Sequence, residues 1–437
     1  MTVSRTRWRG ARQNLEQALR LTRADVIDRG TDRQEPAWLQ ARRLDAWEAY
    51  EAVPFPGRKD EAWRRTDLRG LPPVSFTHSG AAQKHHKLNA DAYAAEVHLN
   101  AGAPAVVACT EALSDKGVIV TSLLDAARKH ESLLDRYLGK LVSPSDGKFA
   151  ALATAMAVDG VFVYVPEGVQ VETPIRTSMT VEDTGSGFAA RTVIVLAPGA
   201  SATILQESTS PGEDAIFTTG TVELYVEDSA RLTFIQVQEL GMATWNVTHE
   251  RARVGKDAVC DWFVAAAGTR LTKSFLDLDL RGEGAEGRMS GFFLATGEQH
   301  LDLDTQQNHF APHTTSDLLF KGALKDSSRS VWQGMIYVAP GAQKTDGYQA
   351  NRNLLLSRSA RADSIPGLEI LADDVRCTHG ATAGQLDEEP LFYLMSRGLP
   401  RKQAERLVVH GFFAEIFSRI KVEGYRNRFV NMIDGKL

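Results

Sequence analysis

VYVPEGVQV (Val163–Val171), VLAPGASAT (Val195–Thr203), YVEDSARLT (Tyr225–Thr233), RVGKDAVCD (Arg253–Asp261), RGEGAEGRM (Arg281–Met289) and LKDSSRSVW (Leu324–Trp332) share one form. Each joins a short strand-like run to a tight turn and then to a small or apolar residue. Those residues are Val169, Ala200, Ala230, Ala258, Ala285 and Ser328, separated by 31, 30, 28, 27 and 43 positions. Four nearly equal intervals define a repeat, and the fifth reads as a longer excursion. A period near thirty, built of strands with no helical pattern between them, predicts a β-solenoid whose coils bury their faces against one another. A β-sandwich with regular hairpins is the competing reading. It would need more hairpin turns than the sequence offers, Asp346-Gly347 being the main one. Within the repeat, Asp277 and Asp279 alternate with Leu276, Leu278 and Leu280, as a strand with one buried face requires. Exposed end coils need caps, which gives the flanking segments a structural purpose.

Those flanks read as helical. Residues 10–50 carry Leu15, Leu19 and Leu21, then Trp38, Leu39, Leu44, Trp47 and Tyr50 at helical spacing, until Pro54 and Pro56 interrupt. The charged stretch GRKDEAWRRTDLRGL (Gly57–Leu71) holds one aromatic, Trp63, and reads as a surface helix or turn, or else as a partner contact. Ser75–Lys87 reads as a loop and 90–150 as mixed structure with a helix near 130–140. Past Gly384, Asp387 caps a helix over Leu391–Arg397. A second helix carries Ala404, Leu407, Val408, Gly411, Phe412, Glu415 and Ile416, widened by Phe413 and Phe417. This pair would pack on the solenoid end or offer a docking surface. The chain thus divides into a mostly helical region 1–155, a solenoid 156–384 and a helical region 385–437.

Composition narrows function. The formal net charge of −5 gives no electrostatic case for nucleic-acid binding. No apolar run reaches membrane-spanning length, since Phe149–Val165 is broken by Asp159 and Gly160. The basic N-terminus lacks the apolar segment of a secretory signal. Three dispersed cysteines, Cys109, Cys260 and Cys377, form no disulfide framework, which fits a reducing compartment, the cytoplasm. Phosphate-loop, nucleophile-elbow and H-E-x-x-H motifs are missing from the sequence. His309 and His313 are four apart, but Pro312 between them favours a loop over a helical metal site. Asp302 and Asp304 read as a solvated strand face. His85, His86 and His410 suggest no chemistry, and Cys109 and Cys260 read as small buried hydrophobes.

LEILADDVRCTHGATAG (Leu368–Gly384) differs. It packs Asp373, Asp374, Cys377 and His379 into seven residues between Ile370 and further strand-like positions, which suggests a sheet end or edge. On a strand, Cys377 and His379 face the same way and can offer sulfur and imidazole to one metal, or serve structure alone. An iron–sulfur cluster takes four protein ligands, mainly thiolates. Three scattered cysteines do not supply them, so a cluster here would be shared with another chain.

KTDGYQANRNLLLS (Lys344–Ser357), LEILADDVRCTHGATAGQLDEEPLFYLMSRGL (Leu368–Leu399) and RKDEAWRRTDLRGL (Arg58–Leu71) together resemble the SufB/SufD family of iron–sulfur cluster assembly proteins. The Cys-Thr-His-Gly variant is most like the SufD branch. The resemblance implies a right-handed parallel β-helix with N-terminal and C-terminal helical domains. It also implies a non-catalytic scaffold that pairs with a SufB-like paralogue and docks a SufC-like ABC ATPase. Pairing of solenoid edges would bring His379 and Cys377 to a transient iron–sulfur cluster at the subunit interface, and this chain alone would bind none. ATPase docking would fall on Pro390–Ile420, with Leu391, Phe392, Leu394, Leu407, Val408, Phe412 and Ile416 as the apolar contacts. A SufB-like or homodimeric scaffold of the same family is one alternative. A polysaccharide-active β-helix enzyme is another, with Asp277, Asp279, Asp302 and Asp304 as its only carboxylates.

Overall fold

The computed structural model describes residue 15 and residues 17–76, 88–100, 103–157, 159–181, 185–212 and 215–437. His85, His86, most of the Ser75–Lys87 loop and the start of the 10–50 helical segment lie outside the described residues. From Asp159 to Gln385 successive strands alternate between two sheets, one of ten strands and one of nine. Within each sheet a strand pairs in parallel with the strand one coil away, for example Leu271–Leu280 with His300–His309 and Glu286–Ala295 with Thr315–Leu324. The result is a parallel β-solenoid of about eight coils.

The corners explain the repeat. Ala200, Ala230, Ala258 and Ala285 are completely buried at one corner, stacked coil on coil. Each carbonyl accepts from the amide of the next coil, as in Arg231 N to Ala200 O (2.8 Å) and Glu286 N to Ala258 O (2.9 Å). The residue before each is in the left-handed region: Gly199 (φ +69°), Ser229 (+59°), Asp257 (+52°) and Gly284 (+71°). Glycine takes that conformation freely, whereas other residues pay roughly 1–2 kcal/mol, so the bonded stack must hold Ser229 and Asp257 in place.

The 43-residue interval is not an excursion. The series continues at Thr314 and Thr345, since Thr315 N bonds Ala285 O (3.0 Å) and Asp346 N bonds Thr314 O (3.0 Å). Left-handed His313 and Lys344 precede them. Both threonines are buried and their hydroxyls lie 3.2 Å apart. Ser328 belongs to the opposite corner, between Thr315–Leu324 and Arg329–Val338. The small residue of the repeat had become a threonine, which satisfies its hydroxyl within the stack.

Inside, the first coils are lined by hydrocarbon such as Val163, Ile194, Leu224 and Phe234. Leu276, Leu278 and Leu280 point inward as their alternation requires, while Asp277 pairs outward with Arg251 (2.5 Å). One cavity of about 90 Å³ interrupts this interior, lined by Thr192, Gln206, Gln236, Asn246, Thr248 and Glu250. Glu250 accepts from Gln236 Nε2 at 2.5 Å.

Most of the helical flanks lie along the outer faces of the sheets. Trp47, Tyr50, Phe55, Trp63 and Phe149 cover the outer face of the nine-stranded sheet, against Phe217, Trp245 and Phe275. Val409, Phe413, Ile416, Phe417 and Phe429 cover the outer face of the ten-stranded sheet, with Phe429 stacked on Phe263 at 5.4 Å. The expected helices are present at both ends of the solenoid region; because a sheet in a solenoid has two apolar faces, the larger ones also spread over the outer faces, while the short helix Glu111–Asp115 sends Leu113 into the interior at the first coil. Short strands also help to close the first coil. Ala95–Asn100 joins Ile175–Thr180 in parallel, followed by antiparallel Val106–Cys109. Ile119–Ser122 runs antiparallel to Asp159–Val165.

The Trp63 segment also buries charge. Asp302 is completely buried and binds Lys273 Nζ (2.9 Å), which lies 3.5 Å from Asp304; Thr66 donates to Asp302. The solvated-face reading of Asp302 and Asp304 is thus wrong, because alternation reveals which side a residue faces and not what covers that side. Arg64 and Arg65 share Glu61, and Arg69 pairs with Asp67, so part of the basic charge of this stretch is locally matched.

Burial raises the Glu250 carboxyl to about 7, against hydrogen bonds from Gln236 and Thr248 that favour its charged form. Below about pH 4.5 it is protonated both folded and unfolded. As pH climbs toward 7 the unfolded chain ionises first, so stability falls by on the order of 3 kcal/mol and then levels off. Glu250→Gln should therefore flatten this part of the stability–pH profile measured by denaturant unfolding. Parallel profiles for mutant and wild type between pH 4.5 and 7.5 would refute the assignment.

Candidate functional site at the open terminal coil

At its other end the solenoid stops without a lid. Arg361–Ile370 is the last strand of one sheet and Arg376–Gln385 the last of the other. Each is paired on one side only, so one row of backbone donors and acceptors is left without a strand partner. Nearly all of Arg376–Gln385 is solvent-exposed. The sheet-edge expectation for the Cys-x-His stretch holds.

Register identifies the inward row. Gly347, Gln349, Asn351 and Asn353 stand directly beneath Cys377, His379, Ala381 and Ala383. Cys377 packs against the cluster of Ile336, Val338 and Ala342, as do Ala372 and Val375. A Cβ on Gly347 would lie 3.3 Å from Cys377 Sγ and 3.5 Å from His309 Nε2, so this glycine makes room for the thiol. Burial pushes the Cys377 thiol above its usual range; the Gly347 backbone opposes this and Asp346 adds to it. His379 lies on the same face but is exposed, because no coil follows it. The inward-facing Leu368 and Ile370 are likewise each 38% exposed, and Leu371 is 51% exposed. The open end is therefore an apolar rim around a Cys–His pair.

Asp373 and Asp374 precede this strand in its corner. Asp374 pairs with Lys344, and its backbone N–H donates to Gln343 Oε1 (2.8 Å). His309, fully buried, bonds Thr314 Oγ1 (2.7 Å) and Ser316 Oγ (2.9 Å), while His313 lies in the corner turn. Among the described residues no group of three or more His, Cys, Asp or Glu side chains is placed to hold a metal ion. Cys377 and His379 suit iron chemically but fill only part of a ligand set. The carboxylates that an enzyme reading needs are engaged elsewhere: Asp277 with Arg251, Asp279 with Arg281 and Asn308, and Asp302 and Asp304 with Lys273.

The helices Glu388–Ser396 and Arg401–Ser418 divide the apolar residues singled out in the sequence. Leu391 and Ile416 are buried. Leu394, Val408 and Phe412 are partly buried, Leu407 is exposed and Phe392 is 74% exposed. The stripe facing the sheet is Val409, Phe413, Ile416 and Phe417, rotated from the one centred on Leu407 and Phe412. Tyr393 and Met395 join Phe392 and Leu407 as large exposed hydrophobics. His410 bonds Asp434 (2.7 Å) and so ties two C-terminal helices together.

A parallel solenoid clad by helices on both faces, closed at one end and open at the other, defines the structural class. Comparison gives the family. The model of the SUF system FeS cluster assembly SufBD core domain matches residues 179–412, and that of the SufBD protein N-terminal region matches 26–177. The iron–sulfur cluster assembly protein SufD of Bacillus subtilis is 33% identical, covering 92% of this chain and 95% of its own length. SufB of the same organism is 29% identical over 72% of this chain and 68% of its own. A SufBD family protein of Mycobacterium leprae is 31% identical over 91% of this chain and 95% of its own. The chain belongs to the SufB/SufD family of iron–sulfur cluster assembly proteins.

Because its thiol is held above the usual range, Cys377 should react with iodoacetamide at pH 7.5 more slowly than a free cysteine peptide, and the difference should narrow at more alkaline pH. Mass spectrometry of the alkylated peptide reads this directly. A rate equal to the free peptide's at pH 7.5 would contradict the burial argument.

Proposed function

We propose that this chain is a non-catalytic, SufD-like scaffold subunit acting in the cytoplasm, which joins a SufB-like paralogue through its open terminal coil. The observation that carries this reading is the edge strand Arg376–Gln385. After Arg376 it bears no Asp, Glu, Lys or Arg, and it stands beside exposed Leu368, Ile370 and Leu371. Proteins usually protect such an edge with charge, proline or a cover. A partner strand supplies that cover, and places His379 and Cys377 at the junction. The iron–sulfur cluster is cargo there, transient and completed by ligands of the partner. Cys377 would offer a thiolate and His379 an imidazole nitrogen, with the apolar rim excluding water from the joint.

The second part of the proposal concerns a SufC-like ABC ATPase. Phe392, Tyr393, Met395 and Leu407 form a surface that no other described element covers, on helices anchored to the sheet by Phe413, Ile416 and Phe417. Movement of the ATPase would be transmitted through those anchors to the sheet and its terminal strand, opening the junction to iron and sulfide.

Co-expression with both partners tests the first part. His379→Ala should leave the complex intact and lower its iron and sulfide content at least several-fold. Full cluster content in the mutant complex would move the site onto the partner; a complex containing two copies of this chain would favour the homodimeric alternative. For the ATPase, Phe392→Asp combined with Leu407→Asp should weaken binding about tenfold or more with little change in melting temperature, because both side chains are already exposed. Ile416→Asp should unfold the helix instead. Unaltered ATPase affinity in the Phe392/Leu407 double mutant would place docking elsewhere.

A further inference from the structure

The cavity of about 90 Å³ inside the solenoid is built from inward positions of both sheets. The nine-stranded sheet contributes Thr192, Thr248, Glu250 and Ser274, and the ten-stranded sheet sets Gln206 and Gln236 against them. Val222, Val264, Leu276 and Leu303 form an apolar wall. Met289, Phe293, Leu318 and Phe320 then fill the interior between this cavity and the terminal coils. Among the described residues no lysine, arginine or histidine lines the cavity, so the buried Glu250 carboxyl faces no cation there.

The polar groups of the lining satisfy one another only in part. Trp262 Nε1 donates to Gln236 Oε1 (2.6 Å), and Gln236 Nε2 donates onward to Glu250 (2.5 Å). Thr248 also bonds the Glu250 carboxyl and lies 3.0 Å from Ser274 Oγ. Two oxygens of a carboxylate offer about four acceptor positions, so Glu250 retains some. Across the cavity, Thr192 Oγ1 donates to Gln206 Oε1 (3.0 Å), which fixes that carboxamide. Gln206 Nε2, however, donates to no described residue, although the side chain is more than nine-tenths buried. A buried amide nitrogen without an acceptor costs about 1–3 kcal/mol.

An unpaired donor and spare acceptor positions line one space, and the space has room for a ligand. A buried water needs about 10–15 Å³ of such volume and two to four polar partners. We propose that this cavity is an internal water site, in which a small cluster of ordered waters accepts from Gln206 Nε2 and donates to the Glu250 carboxyl. The ligand must be amphiprotic. A metal cation would meet an N–H group at Gln206 and a single carboxylate, and a hydrocarbon would leave both polar groups unpaired. The apolar wall confines the waters to the polar side. The hydrocarbon layer from Met289 to Phe320 separates them from the open coil, so the site belongs to the closed interior and not to the partner junction.

Crystals of the full chain, with and without xenon under pressure, test the assignment. Wild type should show density peaks within about 3.2 Å of Gln206 Nε2 and of a Glu250 carboxylate oxygen. It should take up no xenon at this cavity, because xenon enters dry apolar cavities. Gln206→Met keeps the length of the side chain and removes its N–H groups. The peak beside position 206 should be lost in that variant while the one beside Glu250 stays. Xenon in the wild-type cavity, or no peak at Gln206 Nε2, would overturn the proposal, and neither observation depends on the variant folding. A peak beside position 206 that is unmoved in Gln206→Met would overturn the role of Gln206 as its donor.

Discussion

Hydrogen bonding between successive coils is the constraint on which the remainder of this structure depends. Each strand from Asp159 to Gln385 satisfies its backbone only through the coils before and after it, and the buried corner stack from Ala200 to Thr345 keeps those coils in register. Such a ladder has no internal reason to stop. The chain ends it in two different ways. At the first coil, short antiparallel strands turn the ladder back on itself. At the last, nothing follows Arg376–Gln385, and the same physics that joins the coils leaves an unsatisfied edge available to another chain.

The cladding sharpens that contrast. Aromatic side chains from Trp47 to Phe149 close one outer face, and Phe413, Phe417 and Phe429 close the other. With both faces occupied, large apolar side chains are left exposed chiefly at the terminal coil and on the helices Glu388–Ser396 and Arg401–Ser418. These regions are adjoining in sequence, since Gln385 leads within three residues into Glu388. The polar interior near the terminal coil belongs to the same arrangement. A hydrocarbon core there would be exposed whenever the end is uncovered, whereas Gln349, Asn351 and Asn353 tolerate water at the open end.

How much of this was legible in the sequence follows from the range of each interaction. The period near thirty showed through Ala200, Ala230, Ala258 and Ala285 because a tight corner admits only a small side chain. It was lost at Thr314 and Thr345, where a hydroxyl satisfied by its stacked neighbour fits the same space. The shared face of Cys377 and His379 needed only strand alternation. Gly347 and Gln349 needed the pairing of strands about thirty residues apart, which no local pattern states. Asp302 looked solvated because its cover, Trp63 and Thr66, lies more than two hundred residues earlier in the chain. The stripe on Arg401–Ser418 was misplaced by a fraction of a turn because apolar residues surround most of that helix, and only the sheet decides that Val409 and Phe413 face inward.

The family assignment and the geometry answer different questions, and their overlap is informative. The motif Lys344–Ser357 carries the resemblance in sequence, and in the fold it is the strand that lies beneath Cys377 and His379. Its Gly347 makes space for the thiol, its Gln349 spans the interior to Gly367, and its Asn351 and Asn353 hold Ser364. None of these contacts reaches solvent as a ligand would. They fix the terminal coil from below, one strand spacing from the exposed pair. A site completed by a partner needs its own half rigid before the partner arrives, or the cost of ordering it is subtracted from the affinity of the junction. On the proposed reading the penultimate coil supplies that rigidity, through Gly347, Gln349, Asn351 and Asn353 beneath the terminal strand.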